Sequence, residues 1–130
     1  DDLKLPASGT FVTKRYERKG LANRRPAGVS VRGVELRRPT ATAPGEARAR
    51  LRLAGGARFP ARRHSLALLL ADADTGAPVS LDYRKALSTS VDRRGNLSAV
   101  RLRIPAGAIL PERLRAYVVA DVYPMLVKQL

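Results

Sequence analysis

The 130-residue chain has no cysteine, which excludes a disulfide scaffold and thiol chemistry and leaves the redox compartment open. Histidine occurs once, at His64, among Arg62 and Arg63 and after Pro60. It reads as a loop residue, and neither a multi-histidine metal site nor a Ser-His-Asp triad is expected. There is no tryptophan, and Phe and Tyr together number six, so base stacking on a nucleic-acid platform has little to work with. The longest apolar run, Leu66 to Ala71, is strand length and far short of the ~20 residues a spanning helix needs. Helix signals are nearly absent, with Pro111 to Leu114 the one stretch that suggests a helical turn. No P-loop, dinucleotide fingerprint, zinc spacing or RNA-recognition aromatic pair occurs. Nothing points to a cofactor or a metal, and no enzyme is expected.

Acid is scarce too. Lys and Arg number 25 against 11 Asp and Glu, a net charge of +14. Fields of that size favour polyanions: nucleic acid, acidic membrane surfaces or anionic cell-wall polymers. Arginine supplies 20 of the 25 cations and lysine 5, with alanine also at 20, a bias that GC-rich coding also produces. A length of 130 residues is one domain, able to bury roughly two-thirds of its unfolded surface. The chain opens on Asp1-Asp2-Leu3 with no initiating methionine, which fits a processed or trimmed form, and shows no signal-peptide pattern.

Residues 1–28 differ from the rest. One candidate strand (Thr10 to Tyr16) merges into a basic stretch of Lys14, Arg15, Arg18, Lys19, Arg24 and Arg25, opposed by Glu17 alone and punctuated by glycine and proline. This reads as a loosely held basic arm. From Val29 to residue 130 the hydrophobic period is two, with turn signals at the spacing of an all-β sandwich. Val29 and Val31 share a face. The phase slips at Gly33 before Val34 and Leu36 continue, which predicts a β-bulge. In the next strand Ala47, Ala49, Leu51 and Leu53 alternate with Arg48, Arg50 and Arg52. Further strands are expected at Ser65 to Ala71, Val79 to Tyr83, Leu87 to Val91, Leu97 to Ile104 and Leu114 to Val122, with Pro124 to Leu130 as a closing edge.

About seven strands in this order look like an immunoglobulin-like antiparallel sandwich. Val31 to Leu36, a loop, then Pro44-Gly45-Glu46 entering an alternating strand resembles the first hairpin of bacterial surface domains of the CARDB and fibronectin type III kind. Asp72-Ala73-Asp74-Thr75-Gly76-Ala77-Pro78-Val79 resembles a hairpin of such sandwiches. The resemblance covers residues 29–130 and concerns the fold, so it carries over no site residue. It implies a binding or spacer module outside the cytoplasm, secreted or at the cell surface.

In that topology the second and fifth strands are neighbours, which sets Arg48, Arg50 and Arg52 beside Arg101 and Arg103 on one outer face. Opposed like charges destabilise a sheet unless Glu35 or Glu46 interleaves or an anion binds. The face is therefore either a solvated surface or a polyanion platform, since guanidinium forks grip phosphate or sulfate bidentately. The third and sixth strands are adjacent as well. With Leu66, Leu68 and Leu70 inward, Leu69, Tyr117, Val119 and Tyr123 face outward as an apolar patch. That patch is expected to be covered by the arm, through Phe11 and Val12, or to form a homodimer or partner contact.

Asp74-Thr75-Gly76 matches the aspartic-protease signature, and Asp72 with Asp74 suggests calcium, yet both stretches read as hairpin-turn chemistry. Asn96-Leu97-Ser98 is a glycosylation sequon. The reading that results is a non-catalytic sandwich module that binds an anionic polymer, cell-wall or polysaccharide, through its arginine face. Its apolar face serves self-association or other domains of a larger protein. The alternative is a sequence-nonspecific nucleic-acid-binding protein that uses the same arginines and the arm on phosphates. A third is a proteinase-inhibitor-like sandwich presenting Gly76 to Val79 or Pro105 to Pro111.

Overall fold

Alternation in sequence becomes alternation in burial. The computed structural model describes residues 26–121 throughout, together with the backbone of four short strand pieces outside that range. In chain order the elements are β1 (Leu3–Lys4), β2 (Val12–Thr13), β3 (Val29–Arg37), β4 (Gly45–Leu53), β5 (Leu66–Asp72), α1 (Tyr83–Ala86), β6 (Leu87–Val91), β7 (Leu97–Ile104), β8 (Leu114–Ala120), β9 (Tyr123–Pro124) and β10 (Lys128–Gln129). One sheet runs β3-β4-β7-β6. The other runs β10-β8-β5, with β9 also on β8, and every pairing is antiparallel. A separate two-stranded ladder joins β1 to β2; β2 falls within the strand expected at Thr10 to Tyr16, whereas β1 lies where no strand is expected.

The two larger sheets close on one core. Val29, Val31, Ala47, Ala49, Val100, Leu102 and Ile104 come from the first sheet, and Leu66, Leu68, Leu70, Leu114, Ala116, Val118 and Ala120 from the second. Each buried Leu, Ile or Val contributes about 1.5–3 kcal/mol by leaving water. The chain is therefore an all-β sandwich. Its register slips between Val31 and Gly33, where the phase change in the sequence predicted a bulge.

Two local expectations are corrected. Val79 to Tyr83 forms no strand. Pro78 makes a single bridge to Ala71, and the chain then turns into α1, capped by the Asp82 carboxylate, which accepts from the Lys85 amide at 3.4 Å. The Tyr83 hydroxyl donates back to the carbonyls of Val79 (2.6 Å) and Leu70 (3.1 Å), fixing a helical turn where side-chain periodicity suggested extension. Six strands of five residues or more result, one fewer than expected. The turn of helix expected at Pro111 to Leu114 is absent, because the Pro111 and Glu112 carbonyls accept from the Arg38 guanidinium at 3.0 and 2.6 Å. Beside it, Gly45 is required by close approach: a Cβ there would lie 2.3 Å from the Arg37 carbonyl oxygen.

Candidate functional site: an arginine face and a braced loop end

Strand alternation sends every second residue of β4 and β7 out of the core, and in both strands the outward residues are mostly arginine. Pairing of β4 with β7 sets Arg48 directly opposite Arg101, Glu46 opposite Arg103, and Arg50 opposite Ala99. On the other side β3 places Glu35 opposite Arg48, Arg37 opposite Glu46 and Ser30 opposite Arg52. The five arginines expected on one face thus stand in neighbouring strands of one sheet. Arg37 joins them in the Glu46 row, a neighbour that only the β3–β4 register reveals.

The interleaved acids neutralise part of this face. Glu35 pairs with Arg50 at 3.1 Å, an exposed ion pair of the kind that contributes about 0.2–1 kcal/mol. That leaves the pair at the centre. Arg48 and Arg101 are half-buried, and neither forms an ion pair among the described residues. Their Nε atoms are both buried with no hydrogen-bond acceptor there. Directly opposed like charges repel, and a buried donor without an acceptor costs about 1–3 kcal/mol.

The apolar patch assembles as the facing pattern expects. Leu69 lies opposite Tyr117 and Ala67 opposite Val119, and Leu69, Ala71, Tyr117 and Val119 form a second apolar cluster on the outer side of this sheet. Leu69, Tyr117 and Val119 are only 1%, 1% and 4% exposed, so they offer a partner no free surface in this structure. Tyr83 and Ala67 pack against them. The Tyr123 side chain, the arm residues Lys14, Arg15, Arg18, Lys19, Arg24 and Arg25, and the proposed cover by Phe11 and Val12 lie outside the described side chains.

Tyr83 binds the two clusters together, and sequence reading missed it. Burial pushes its hydroxyl up to about 12, against the smaller opposing effect of its backbone bond to Leu70.

His64 is more than a loop residue. Its ring stacks on Phe59, with centroids 4.5 Å apart and planes 20° from parallel, and its Nδ1 bonds to the Asp121 carboxylate. Asp121 has a positive φ of 48°, which Asp tolerates better than most residues, and this aims its side chain back at the start of β5. There its Oδ1 accepts from the Ser65 amide (2.8 Å) and the Ser65 hydroxyl (3.2 Å). Ser65, His64 and Asp121 therefore meet, but the serine donates to the aspartate and not to the histidine. The grouping is wired as a brace, without the nucleophile-to-base bond that acyl transfer uses.

Asn96, the sequon asparagine, is 7% exposed, and its Oδ1 accepts from the Phe59 amide at 2.9 Å. It staples the β6–β7 turn to the β4–β5 connection. At the Asp72 turn, the Asp72 carboxylate caps the amides of Asp74 (2.8 Å) and Thr75 (3.3 Å), and Asp74 pairs with Arg113. Both carboxylates are thus engaged in holding a hairpin turn. Of the two loops considered for presentation to a protease, the 105–111 segment exposes Ile109 at 93%. No helix among the described residues is long and apolar enough to cross a membrane, and no group of three or more candidate metal ligands occurs among them. No protein-family model, curated protein or solved structure matches the chain.

Proposed function

We propose that this chain is a non-catalytic, immunoglobulin-like binding module whose β3-β4-β7-β6 face holds an anionic polymer. The observation that carries this reading is the Arg48–Arg101 pair, opposed across two strands, half-buried, and with no ion pair to either guanidinium among the described residues. Half-burial immobilises the guanidiniums, so little side-chain entropy remains to be lost when an anion docks. A phosphate or sulfate laid across the pair would relieve their repulsion. The strand orders β3-β4-β7-β6 and β5-β8-β10 support the immunoglobulin-like assignment, being the four- and three-stranded arrangement of constant-type domains. An extracytoplasmic setting rests on the resemblance of the β3–β4 hairpin and the 72–79 turn to bacterial surface domains. A proteinase-inhibitor-like role is favoured by one observation, the fully presented Ile109 on a segment whose end is held by Arg38.

The test is anisotropy of labelled duplex DNA as a polyanion probe, from 50 to 300 mM salt, with a sulfated polysaccharide as competitor. Arg48→Ala with Arg101→Ala is expected to reduce the log–log salt slope by about 2, one per lost contact. Arg101→Glu places a carboxylate opposite Arg48 and should hold or raise stability by about 0.5–1 kcal/mol while weakening binding. An unchanged slope in the double variant would refute the sheet-face reading. Resistance to polysaccharide competition would shift the assignment to nucleic acid.

A further inference from the structure

A second cationic surface lies away from the sheet face, at the end of the sandwich where the β4–β5 connection meets the β6–β7 turn. A cleft of about 770 Å³ opens there, lined by Arg58, Arg62, Arg63 and Arg94 together with His64 and Asn96. Among the described residues, no acidic side chain lines it. None of the four arginines has an ion-pair partner among the described residues. The β6–β7 turn carboxylate, Asp92, does not line the cleft and is engaged by its own turn. It accepts from the amides of Arg94 (2.8 Å) and Asn96 (2.9 Å), and these backbone bonds, the Asn96 amide foremost, hold it below the usual carboxylate range. The Asp121 carboxylate is likewise committed to His64 and Ser65.

The walls are built rather than incidental. Phe59, 1% exposed, anchors the connection beneath the cleft and stacks on His64. The Leu97 amide donates to the Phe59 carbonyl (2.8 Å), the Ala61 amide to the Gly95 carbonyl (2.9 Å), and the Phe59 amide to the Asn96 side chain. These bonds hold the segment carrying Arg58 and Arg62 against the turn carrying Arg94, with the arginine side chains themselves exposed. Four guanidiniums around one concavity focus a positive potential, and their planar forks match tetrahedral oxyanions.

We infer that this cleft is a discrete oxyanion site that takes one small, multiply charged phosphate- or sulfate-type group. It is separate from the polyanion face and does not depend on it. Whether the group is free or pendant on a larger molecule, the recognising chemistry is the same.

Inorganic pyrophosphate and inorganic sulfate, titrated calorimetrically into the full chain at near-physiological salt, provide the probes. Saturable one-to-one binding is expected, with Arg62→Ala and Arg94→Ala together weakening it about tenfold or more. The matched control, Arg50→Ala with Arg101→Ala, removes the same charge from the sheet face and should leave affinity within about twofold, since neither residue lines the cleft and salt screens charges that do not touch the bound anion. Circular dichroism of each variant verifies the fold, and Arg58→Ala with Arg63→Ala repeats the test should the first pair fail to fold. Absence of saturable binding, or equal weakening by the cleft and sheet-face pairs, would overturn the assignment. Loss of DNA binding in the sheet-face pair with pyrophosphate binding intact would uphold both sites separately. Pyrophosphate binding without sulfate binding would identify a phosphate group as the ligand.

Discussion

Removing one oxygen from Tyr83 separates two effects that this structure ties together. The hydroxyl proton is shared between the carbonyls of Val79 at 2.6 Å and Leu70 at 3.1 Å, while the oxygen lies 3.4 Å from the Leu70 amide. One good hydrogen bond and a weaker second make Tyr83→Phe cost about 1–2 kcal/mol at neutral pH. For a chain of this length that is roughly 3–8 °C in Tm. The alkaline limb supplies the sharper test. Burial raises the folded-state pKa from 10.0 to about 12, so the native state binds the phenolic proton more tightly than the unfolded chain does. The corresponding stability is full below pH 10 and drains as pH rises toward 12. By pH 11 the loss is about 1.4 kcal/mol, close to the hydrogen-bond contribution itself. The phenylalanine variant lacks this titration. Its stability relative to wild type should therefore climb between pH 10 and pH 11, with the two curves meeting near pH 11. Urea denaturation of both proteins at pH 8, 10 and 11 measures this. A constant difference across that range would refute the buried-phenol argument, and no difference at pH 8 would refute the hydrogen bonding.

Two further outcomes follow from the same geometry. Asn96→Ala leaves the buried Phe59 amide without an acceptor and should cost about 1–3 kcal/mol in chemical denaturation; a change within 0.3 kcal/mol would mean that water replaces the side chain. Leu69→Ala, at a site 1% exposed, is expected to cost about 2–5 kcal/mol while sedimentation stays unchanged. A cost below about 1 kcal/mol with altered sedimentation would instead make the outer β5–β8 face an interface.

Much of this was legible from the residues alone because strands announce themselves through a period of two. The outward arginines of β4 and β7, the inward Val100, Leu102 and Ile104, and the bulge at Gly33 all follow from which side chains avoid water. The facing of Leu69, Tyr117 and Val119 follows from the same alternation. The segment from Val79 to Tyr83 misled it, because an alternating pattern does not report that a side-chain cap at Asp82 and a hydroxyl at Tyr83 favour a turn of helix.

What the sequence by itself determined is the fold class, the inward and outward faces of the long strands and the excess of guanidinium charge, since each depends on local composition and periodicity. Only the tertiary structure decided which charges meet. Arg48 opposes Arg101 across 53 positions of chain, Asn96 caps Phe59 across 37, and Asp121 reaches His64 across 57. Arg58, Arg62 and Arg63 face a cleft with Arg94 for the same reason. Loops carry no periodicity, and closing them against one another is settled by buried hydrogen bonds between distant segments, which single residues do not encode.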